Sequence, residues 1–315
     1  MEDEVYMSAP KVFIVIINWN GTVDTIECLN SVRDIQYQNY NVIVVDNFSE
    51  IESVNQILVA HPWIKLIRNN SNLGFAEGNN IGIKYSLEHG AEYILLLNND
   101  TTIKSDFLEP LVTCMEKDKD IAIAGPIMCY YDNPGIVWQT GGRFISFLGR
   151  LSMPYAGQSY KMIKEDYISL DYLPGAGLLV RTSDLEYLGL LDKNFFNQCE
   201  DLDWGLKAKR HGKKVICVKR SILYHKVSGS TPSFLKNYFR FRNQLIIVSR
   251  YSTRNFFIPQ IYWLSVALSK ILKFTYNGHR LQAYAIFLGI IDYYQGNFGP
   301  GSIDKLLQIS KTNKT

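Results

Sequence analysis

Hydrophobic and polar positions follow two patterns along the first 220 residues. Short, fully apolar runs alternate with stretches in which apolar residues recur every three or four positions. Such runs are typical of buried parallel strands, and such stretches of amphipathic helices. The predicted strands are 12–17, 42–46, 64–67, 93–97, 121–125, 177–181 and 215–218, and the predicted helices between them are 22–35, 51–60, 77–88 and 105–116. The pattern predicts an α/β fold, with a mostly parallel central sheet flanked by helices.

The pattern changes in two places. Residues 130–172 are rich in Gly, Pro, Ser and Tyr, which indicates loops and short antiparallel strands. A helix opens near Glu200, and after Thr231 the chain becomes aromatic and basic. Three further helices are predicted, at 233–250, about 256–273 and about 279–294. We therefore expect one unit over 1–231 and a helical C-terminal region over 232–315.

The charge is unevenly distributed. Residues 1–204 hold 14 Lys and Arg against 28 Asp and Glu, whereas residues 205–315 hold 19 against 2. Such asymmetry favours an anionic partner: nucleic acid, a membrane surface or a phosphorylated substrate. The five cysteines form no CxxC pair, which fits a reducing compartment. With no signal-peptide pattern and no long apolar span, we expect a cytoplasmic protein that could lie on a membrane.

Polar residues follow several of the predicted strands, where ligands bind in open α/β sheets. No Walker A sequence is present, and no GxGxxG follows the first strand. A bound nucleotide would therefore need another source of positive charge, such as a divalent cation held by carboxylate. Asp100 could hold one, although an NND sequence is also a common turn. The strand-end residues are Asn18, Asp46, Asn47, Asn98, Asn99 and Asp100.

A second group of candidates lies nearer the C-terminus. Glu200, Asp201 and Asp203 bring three carboxylates together beside Trp204, although acidic residues in a first helical turn also complement the helix dipole. His225 could be a ligand or a structural histidine. Arg240 and Arg242 could recognise phosphate or lie on a solvated helix face.

Seven motifs appear in a specific order. They are IVIINWNG (14–21), VVDNFS (44–49), NLGFAEGNNIGI (72–83), LLLNNDT (95–101), PGAGLLVR (174–181), CEDLDWGLKAKRHG (199–212) and YHKVSGS (224–230). From about Val12 to Arg250 the chain closely resembles the family 2 glycosyltransferases of the GT-A fold, especially the bacterial rhamnosyltransferase-like branch.

The resemblance implies a role for each matching residue. Asp201 would be the general base, Asp46 would bind a uracil or thymine, and Asp100 with His225 would bind Mg²⁺ or Mn²⁺. Asn98 stands where the family often has a carboxylate, which makes it a ribose contact here. The other nucleotide-sugar-binding residues would be Asn18, Asn47, Ser49, Asn72, Gly74, Asn79, Asn99 and Arg242. The acceptor side would include Gly175, Glu200, Asp203 and Trp204.

The implied activity is inverting, metal-dependent sugar transfer from a nucleotide-sugar donor in surface polysaccharide synthesis. dTDP-L-rhamnose is the first donor expected, and UDP-hexoses are the alternative. The acceptor would be a saccharide, free or linked to polyprenyl diphosphate. Partners of the C-terminal helices would be an anionic membrane surface or a second copy of the chain, and no nucleic acid.

Two other classes of protein remain open at this point. A sugar nucleotidyltransferase would need a basic, glycine-rich loop after the first strand, and the stretch 16–24 contains no Lys or Arg. A non-catalytic binding module would have no need of Asp100, Asp201 and His225 together. Donor hydrolysis with and without Mn²⁺ separates these classes.

Overall fold

The computed structural model describes residues 9–227, 231–252 and 257–312. The strands are β1 (Val12–Asn18), β2 (Tyr40–Asp46), β3 (Lys65–Arg68), β4 (Tyr93–Asn98), β5 (Thr101–Ile103), β6 (Ile121–Tyr130), β7 (Val137–Gln139), β8 (Arg143–Ile145), β9 (Arg150–Ser152), β10 (Tyr167–Leu170), β11 (Gly177–Arg181) and β12 (Lys214–His225). The helices are α1 (Thr22–Arg33), α2 (Ile51–Ala60), α3 (Gly74–Glu88), α4 (Leu108–Lys117), α5 (Leu185–Leu188), α6 (Glu200–Arg210), α7 (Ser233–Tyr251), α8 (Phe257–Tyr276), α9 (Arg280–Gln295) and α10 (Ile303–Thr312).

The central sheet is mixed, with the strand order β10-β12-β6-β11-β4-β1-β2-β3. Strands β4, β1, β2 and β3 pair in parallel, as the apolar runs predict. However, β11 lies antiparallel between β4 and β6, in the middle of the sheet. An apolar run shows that a strand is buried on both faces but not which way it points. The direction of β11 was therefore not visible in the sequence.

Alternate residues of β1 enter the two cores on opposite faces of the sheet. Ile14 and Ile16 belong to the cluster that includes α1 and α4, and Phe13 and Val15 belong to the cluster that includes α3. All four are nearly or fully buried. Because alternate side chains of β1 are buried in opposite cores, the strand is held on both of its faces. Its polar carboxyl end therefore has a fixed position at the edge of the sheet.

The four C-terminal helices α7 to α10 pack against one another and against the first unit. Phe241 and Val248 of α7 form a cluster with Trp263 of α8 and Ile286 of α9. Trp263 also donates a hydrogen bond to the carbonyl of Gly149, which ties α8 to the loop before β9. Within the described part of the chain, no helix combines the length and apolarity that crossing a bilayer requires.

Candidate active site

A pocket of about 830 Å³ opens at the carboxyl ends of β1, β2 and β4. A smaller cavity of about 510 Å³ lies at the opposite, amino ends of β1 to β3, where ligands of such sheets do not usually bind. The larger pocket is therefore the candidate site. Its lining includes six residues expected from the sequence: Asn47, Asn72, Gly74, Asn98, Asn99 and Asp100.

A hydrogen-bond network lies beneath the wall of this pocket. Asn18 donates to Asp46 over 2.8 Å and to the Ser49 hydroxyl over 3.2 Å. The other Asp46 oxygen accepts from the Ser49 amide over 3.0 Å, and Arg68 lies 3.5 Å away. All three expected residues are buried, and none belongs to the pocket lining. The side chains of Asn18, Asp46 and Ser49 therefore stabilise the turn after β2 through hydrogen bonds to one another, and their polar atoms do not face the pocket.

Asn47 connects two loops at the pocket wall. Its side chain donates to the Asn72 side chain over 2.9 Å and to the Gly74 carbonyl over 3.0 Å. Its oxygen accepts from Asn69 and from the Leu73 amide. The loop that leads into α3 is therefore fixed at the carboxyl end of β2.

Gly74 begins α3 in a conformation that favours glycine, with φ +79°. A Cβ atom there would lie 2.5 Å from the carbonyl oxygen of Phe196 and 2.7 Å from its ring. The Phe196 carbonyl also accepts the amide of Phe75 over 2.7 Å. Close approach at Gly74 thus joins the start of α3 to the loop before α6. Asn79, one turn further along α3, is buried and donates to the Phe75 carbonyl.

Asp100 and His225 meet at the edge of the pocket. Asp100 Oδ1 lies 3.2 Å from His225 Nε2, and the imidazole stacks on Trp138 with ring centroids 4.3 Å apart. Two atoms bound to one cation at right angles, about 2.1 Å from it, would be about 3 Å apart. The separation therefore suits a shared metal.

The hydrogen bonding of His225 gives a different indication. Its Nδ1 accepts the amide proton of Val227 over 3.1 Å, so the neutral imidazole carries its proton on Nε2, toward Asp100. Ligating histidines instead donate from the second nitrogen. Asp100 lines the pocket, whereas His225 would have to release the Val227 amide before it could bind a cation through Nε2. In the described part of the chain, no group of three or more His, Cys, Asp or Glu side chains is arranged to hold a metal ion.

The pocket lining among the described residues contains three carboxylates, from Asp24, Asp100 and Asp304, and no Lys or Arg. Lys226 and Arg68 are cations that lie just outside the lining. Lys226 already pairs with Asp24 over 2.6 Å and with Glu27 over 2.7 Å. Arg68, above the ring of Phe48, lies 3.5 Å from Asp46. An anion that binds in this pocket would thus need a bound cation to balance its charge. Residues 228–230, the Ser-Gly-Ser that could wrap a phosphate, lie outside the described residues.

Two adjacent carboxylates at the start of α6 have different surroundings. Asp201 Oδ2 accepts the amide of Gly175 over 2.8 Å, and Oδ1 accepts the amide of Leu202 over 2.8 Å. Burial raises the pKa of Asp201, and these amides oppose the rise because they stabilise the carboxylate. Glu200 is buried, and its Oε2 finds no hydrogen-bond partner among the described residues. Burial raises its pKa well above the ordinary range, and the charge of Asp201 adds to the effect.

The loop that leads to these carboxylates is strained. Phe196, Gln198 and Cys199 have φ values of 61°, 69° and 75°, in the left-handed region that non-glycine residues rarely adopt. Such strain costs of order 1–3 kcal/mol per residue and persists only where surrounding contacts fix the backbone.

Two side chains from α7 provide those contacts. Asn243 donates to the carbonyls of Phe195, Asn197 and Gln198 over 2.8–2.9 Å. Arg242 donates to the carbonyls of Asn194 and Phe195 over 3.2 and 3.0 Å. We call these two residues the loop clamp. The structure thus places Arg242 in the interior, fully buried and with its pKa lowered by burial, and not at the donor pocket where the sequence put it.

Two expected acceptor-side residues are also buried. Asp203 is fully enclosed and pairs with Lys207 over 2.9 Å and with Arg250 over 3.0 Å. Trp204 is fully buried, and its indole donates to the carbonyl of Gly189 over 3.2 Å. Both stabilise the packing of α6, and neither Asp201 nor Gly175 belongs to the pocket lining. The ring of Phe75, which lines the pocket, lies next to them at the Gly175 backbone.

Much of the apolar pocket lining was not singled out in the sequence. Trp19 and Phe48 directly follow β1 and β2, so the strand-end rule that selected their polar neighbours could have found them. Ile17, Phe75 and Phe196 were also missed, and further lining residues come from Thr231 onward, for which no local signal indicated a position at the site. These residues are Thr231, Pro232, Leu235, Phe239, Pro300, Ile303, Asp304 and Leu307.

The chain belongs to glycosyl transferase family 2, whose profile matches residues 13–188, more than half of the 315 residues. It is therefore a glycosyltransferase. It is 22% identical over 250 residues to the dTDP-rhamnosyl transferase RfbF of Shigella flexneri, covering 76% of this chain and 80% of that one. It is 26% identical over 239 residues to the rhamnosyltransferase WbbL of Escherichia coli K12, covering 73% and 88%.

The fold is that of the GT-A glycosyltransferases. The mannosyltransferase PcManGT of Pyrobaculum calidifontis, solved with GDP-Man and Mn²⁺, superposes with a TM-score of 0.57 at 13% identity. The match covers 90% of this chain and 87% of that one. At this identity the likeness carries the fold alone.

Proposed function

We propose that the protein is an inverting glycosyltransferase that moves L-rhamnose from dTDP-L-rhamnose to a saccharide acceptor in surface polysaccharide synthesis. The names of its two rhamnosyltransferase relatives support the donor. A UDP-hexose is the alternative donor. The acceptor is a saccharide, free or carried on polyprenyl diphosphate. Residues 1–231 form the catalytic unit, and residues 232–315 complete the acceptor side.

The carrying observation is the unequal pair Glu200 and Asp201. In an inverting displacement, the acceptor hydroxyl loses a proton as it attacks the anomeric carbon, so a base is needed on its side. Asp201 is the member of the pair that two backbone amides hold as a carboxylate. The Oε2 atom of Glu200 has no such partner among the described residues, and burial together with the charge of Asp201 raises the pKa of Glu200 well above the ordinary range. We assign Asp201 as the base because neighbouring acids with separated pKa values take separate roles.

The charge of the pocket supports a divalent cation, Mg²⁺ or Mn²⁺. Its lining has three carboxylates, of which Asp24 pairs with Lys226, and no Lys or Arg among the described residues, so a nucleoside diphosphate would meet negative charge without a cation. Asp100 would hold it, and His225 would position Asp100. Bound there, the cation would neutralise charge on the departing diphosphate. On the nucleotide side, Asn47, Asn72, Asn98 and Asn99 offer amide groups to the base and ribose.

A donor panel tests this proposal. The protein is incubated with dTDP-L-rhamnose, UDP-glucose, UDP-galactose and GDP-mannose, with MnCl₂ or with EDTA, and both donor hydrolysis and thermal stability are measured. We expect dTDP-rhamnose with Mn²⁺ to give the largest stabilisation, about 2.7 kcal/mol at 100-fold excess over Kd. Asp100→Asn should abolish the Mn²⁺ dependence. Equal binding in EDTA would remove the cation from the proposal.

We further propose that α8 rests on an anionic membrane surface. Its exposed side carries Ile258, Ile261, Leu268, Leu272 and Tyr276, each more than half exposed. These positions recur every three, four or seven residues and form one stripe along the helix. Below, this is called the α8 stripe. Lys270 and Lys273 lie on the same helix, and residues 205–315 as a whole hold 19 Lys and Arg against 2 acidic residues. A symmetric dimer through this surface would bring like charges together, whereas anionic lipid would pair with them.

A further inference from the structure

The pocket has two halves of different chemistry. The half at the strand ends presents mostly Asn and Asp side chains to the space. The other half is mainly apolar and aromatic; Phe75, Phe196, Leu235, Phe239, Ile303 and Leu307 line it, with Asn197, Thr231 and Asp304 as its polar members. A nucleoside diphosphate uses the first half, because that half groups most of the amide side chains with Asp100, the proposed cation ligand. The second half therefore needs a different occupant.

Helix α10 forms one wall of this second half and is held there firmly. Leu306 is fully buried in a cluster with Phe234 and Leu235 of α7. Just before the helix, the Ser302 amide and hydroxyl both donate to Asp292 over 3.1 Å. The Tyr238 hydroxyl bonds to the same carboxylate. With its inner side fixed in this way, α10 turns Ile303, Asp304 and Leu307 toward the pocket.

The aromatic floor of this half is also fixed. Phe196 and Phe239 stack with centroids 5.5 Å apart and planes 13° from parallel. The backbone of Phe196 lies within the loop held by the clamp residues of α7 and packs closely on Gly74. A rigid pair of rings offers a flat apolar surface, which suits the carbon–hydrogen face of a sugar ring.

The charges limit what this half can accept. Of the two acidic residues after position 204, Asp292 anchors α10 and Asp304 lines the pocket. The lining as described offers no Lys or Arg to balance an anion, and Asp304 adds repulsion. A carboxylate does accept hydrogen bonds from sugar hydroxyls. Flat apolar surfaces beside a carboxylate that accepts hydrogen bonds from hydroxyls fit an uncharged saccharide.

We propose that α10, with Phe196 and Phe239, forms the acceptor subsite and that its ligand is the uncharged terminal sugar of a saccharide. Ile303 and Leu307 pack against the apolar face of that sugar, and Asp304 accepts from its hydroxyls. A diphosphate carried further along the acceptor stays outside the pocket, near the basic surface of the C-terminal region. This inference rests on the proposed transferase function and extends it to a substrate class.

The test measures binding of defined probes to the full chain. The probes are octyl and methyl glycosides of rhamnose, glucose, galactose and N-acetylglucosamine. Their binding is measured by saturation-transfer NMR in the presence of EDTA. Leu307→Ala and Asp304→Asn are compared with Gln308→Ala, which lies on the same helix and does not line the pocket. We expect the best glycoside to bind about tenfold more weakly to the first two variants, and unchanged to the control.

A second probe examines the charge argument. Methyl glucoside 6-phosphate should bind more weakly than methyl glucoside to the native protein, and Asp304→Asn should narrow this difference. A role of Asp304 in helix stability alone would leave the ratio unchanged. The phosphate probe is used in EDTA so that no cation bridges it to a carboxylate.

The outcomes separate this inference from the proposed function. The glycosides are tested up to about 10 mM, which is on the order of the dissociation constants of weak carbohydrate binding. If the wild type hydrolyses a nucleotide-sugar but binds none of the glycosides at that concentration, the proposed acceptor subsite is wrong. The same holds if all three variants bind equally, or if Leu307→Ala and Asp304→Asn raise the donor KM as much as they weaken glycoside binding. If no donor is hydrolysed or bound, the transferase proposal itself fails.

Discussion

At the amino end of α6, two neighbouring acids can be exchanged for their amides with opposite expected results. Asp201→Asn keeps the shape but cannot take a proton, so we expect turnover to fall about 10²–10⁴-fold with little change in donor KM. Glu200→Gln should keep most activity, because a protonated glutamic acid and glutamine are both neutral. Steady-state kinetics on both variants measures this. The reverse ranking would assign the base to Glu200.

The same assignment predicts a pH profile. Burial raises the pKa of Asp201, so its carboxylate forms at a higher pH than the ordinary value of about 3.9. Activity carried by the carboxylate is therefore lost as pH falls through this raised pKa and is present above it. The acidic limb of kcat/KM should lie above pH 4 in the native protein and vanish in Asp201→Asn. A limb that survives in that variant would belong to another group.

The clamp gives a prediction about positioning. Asn243→Ala removes one hydrogen bond from each of three carbonyls beside strained residues; Phe195 keeps its bond from Arg242, and a carbonyl left unsatisfied costs about 1–3 kcal/mol. We expect lower stability in urea and also a lower kcat per folded molecule, because the loop leads directly into α6, which carries Asp201. Gln244→Ala is the matched control, since it loses one bond to the Gly149 carbonyl, away from the loop. Equal kcat in both variants would make the clamp purely structural.

At this scale, the sequence located residues better than it described their surroundings. Asp100 and Asp201 could be found because strand ends and helix starts are local features. Arg242 was placed at the donor because an arginine in a helix gives no sign of its partners, which are carbonyls 47 and 48 positions earlier. Asp203 was misplaced for a similar reason, because Arg250 pairs with it from a different helix.

Helix α3 depends on the close approach of its first residue to the loop before α6. Gly74→Ala should be destabilised by backbone strain and by the contact of its Cβ with Phe196. Gly90→Ala has a similar φ of +76°, but a Cβ there would meet nothing within 4 Å, so only the backbone cost of about 1 kcal/mol applies.

The difference between these two variants isolates the contact with Phe196. We expect Gly74→Ala to lose clearly more stability than Gly90→Ala in urea denaturation, and also to bind donor more weakly because Asn72 and Phe75 shift. A smaller loss at Gly74 would mean that the loop before α6 moves freely and is not fixed by α3.

Strands and helices were predictable where a single hydrophobic pattern extends over the whole element. Strands β1, β4 and β11 and helix α2 are apolar or amphipathic over their whole length, and their bounds agree with the predicted ones within a residue or two. The short β5 was missed because three residues after a turn carry too little pattern. The position of α10 at the pocket was not predictable, since it depends on Leu306 and Asp292 meeting α7 across the fold.

At the scale of the whole molecule, the uneven charge separates two surfaces. Three carboxylates line the pocket, whereas α8, which carries the stripe, contains Lys270 and Lys273 and no acidic residue. An enzyme that lies on a membrane through that helix would face the anionic lipid with its basic side and keep its pocket accessible to nucleotide-sugar.

This arrangement predicts how membrane attachment responds to mutation and salt. Ile261→Gln with Leu272→Gln removes two exposed apolar side chains of the stripe, which are 65% and 61% exposed. We expect co-sedimentation with phosphatidylglycerol vesicles to weaken at least about tenfold, since each buried apolar side chain contributes of order 1 kcal/mol. Val23→Gln with Val59→Gln is the matched control, because those side chains are 76% and 83% exposed on α1 and α2.

Salt distinguishes lipid from a second copy of the chain. Attachment that depends on basic residues should weaken toward about 0.5 M salt as the Debye length shortens, whereas a dimer buried on apolar surface should not. Neutral phosphatidylcholine vesicles should bind less protein than anionic ones at low salt. If the chain ignores anionic vesicles but migrates as a dimer that Ile261→Gln with Leu272→Gln dissociates, then the α8 stripe is a subunit interface and the membrane proposal is wrong.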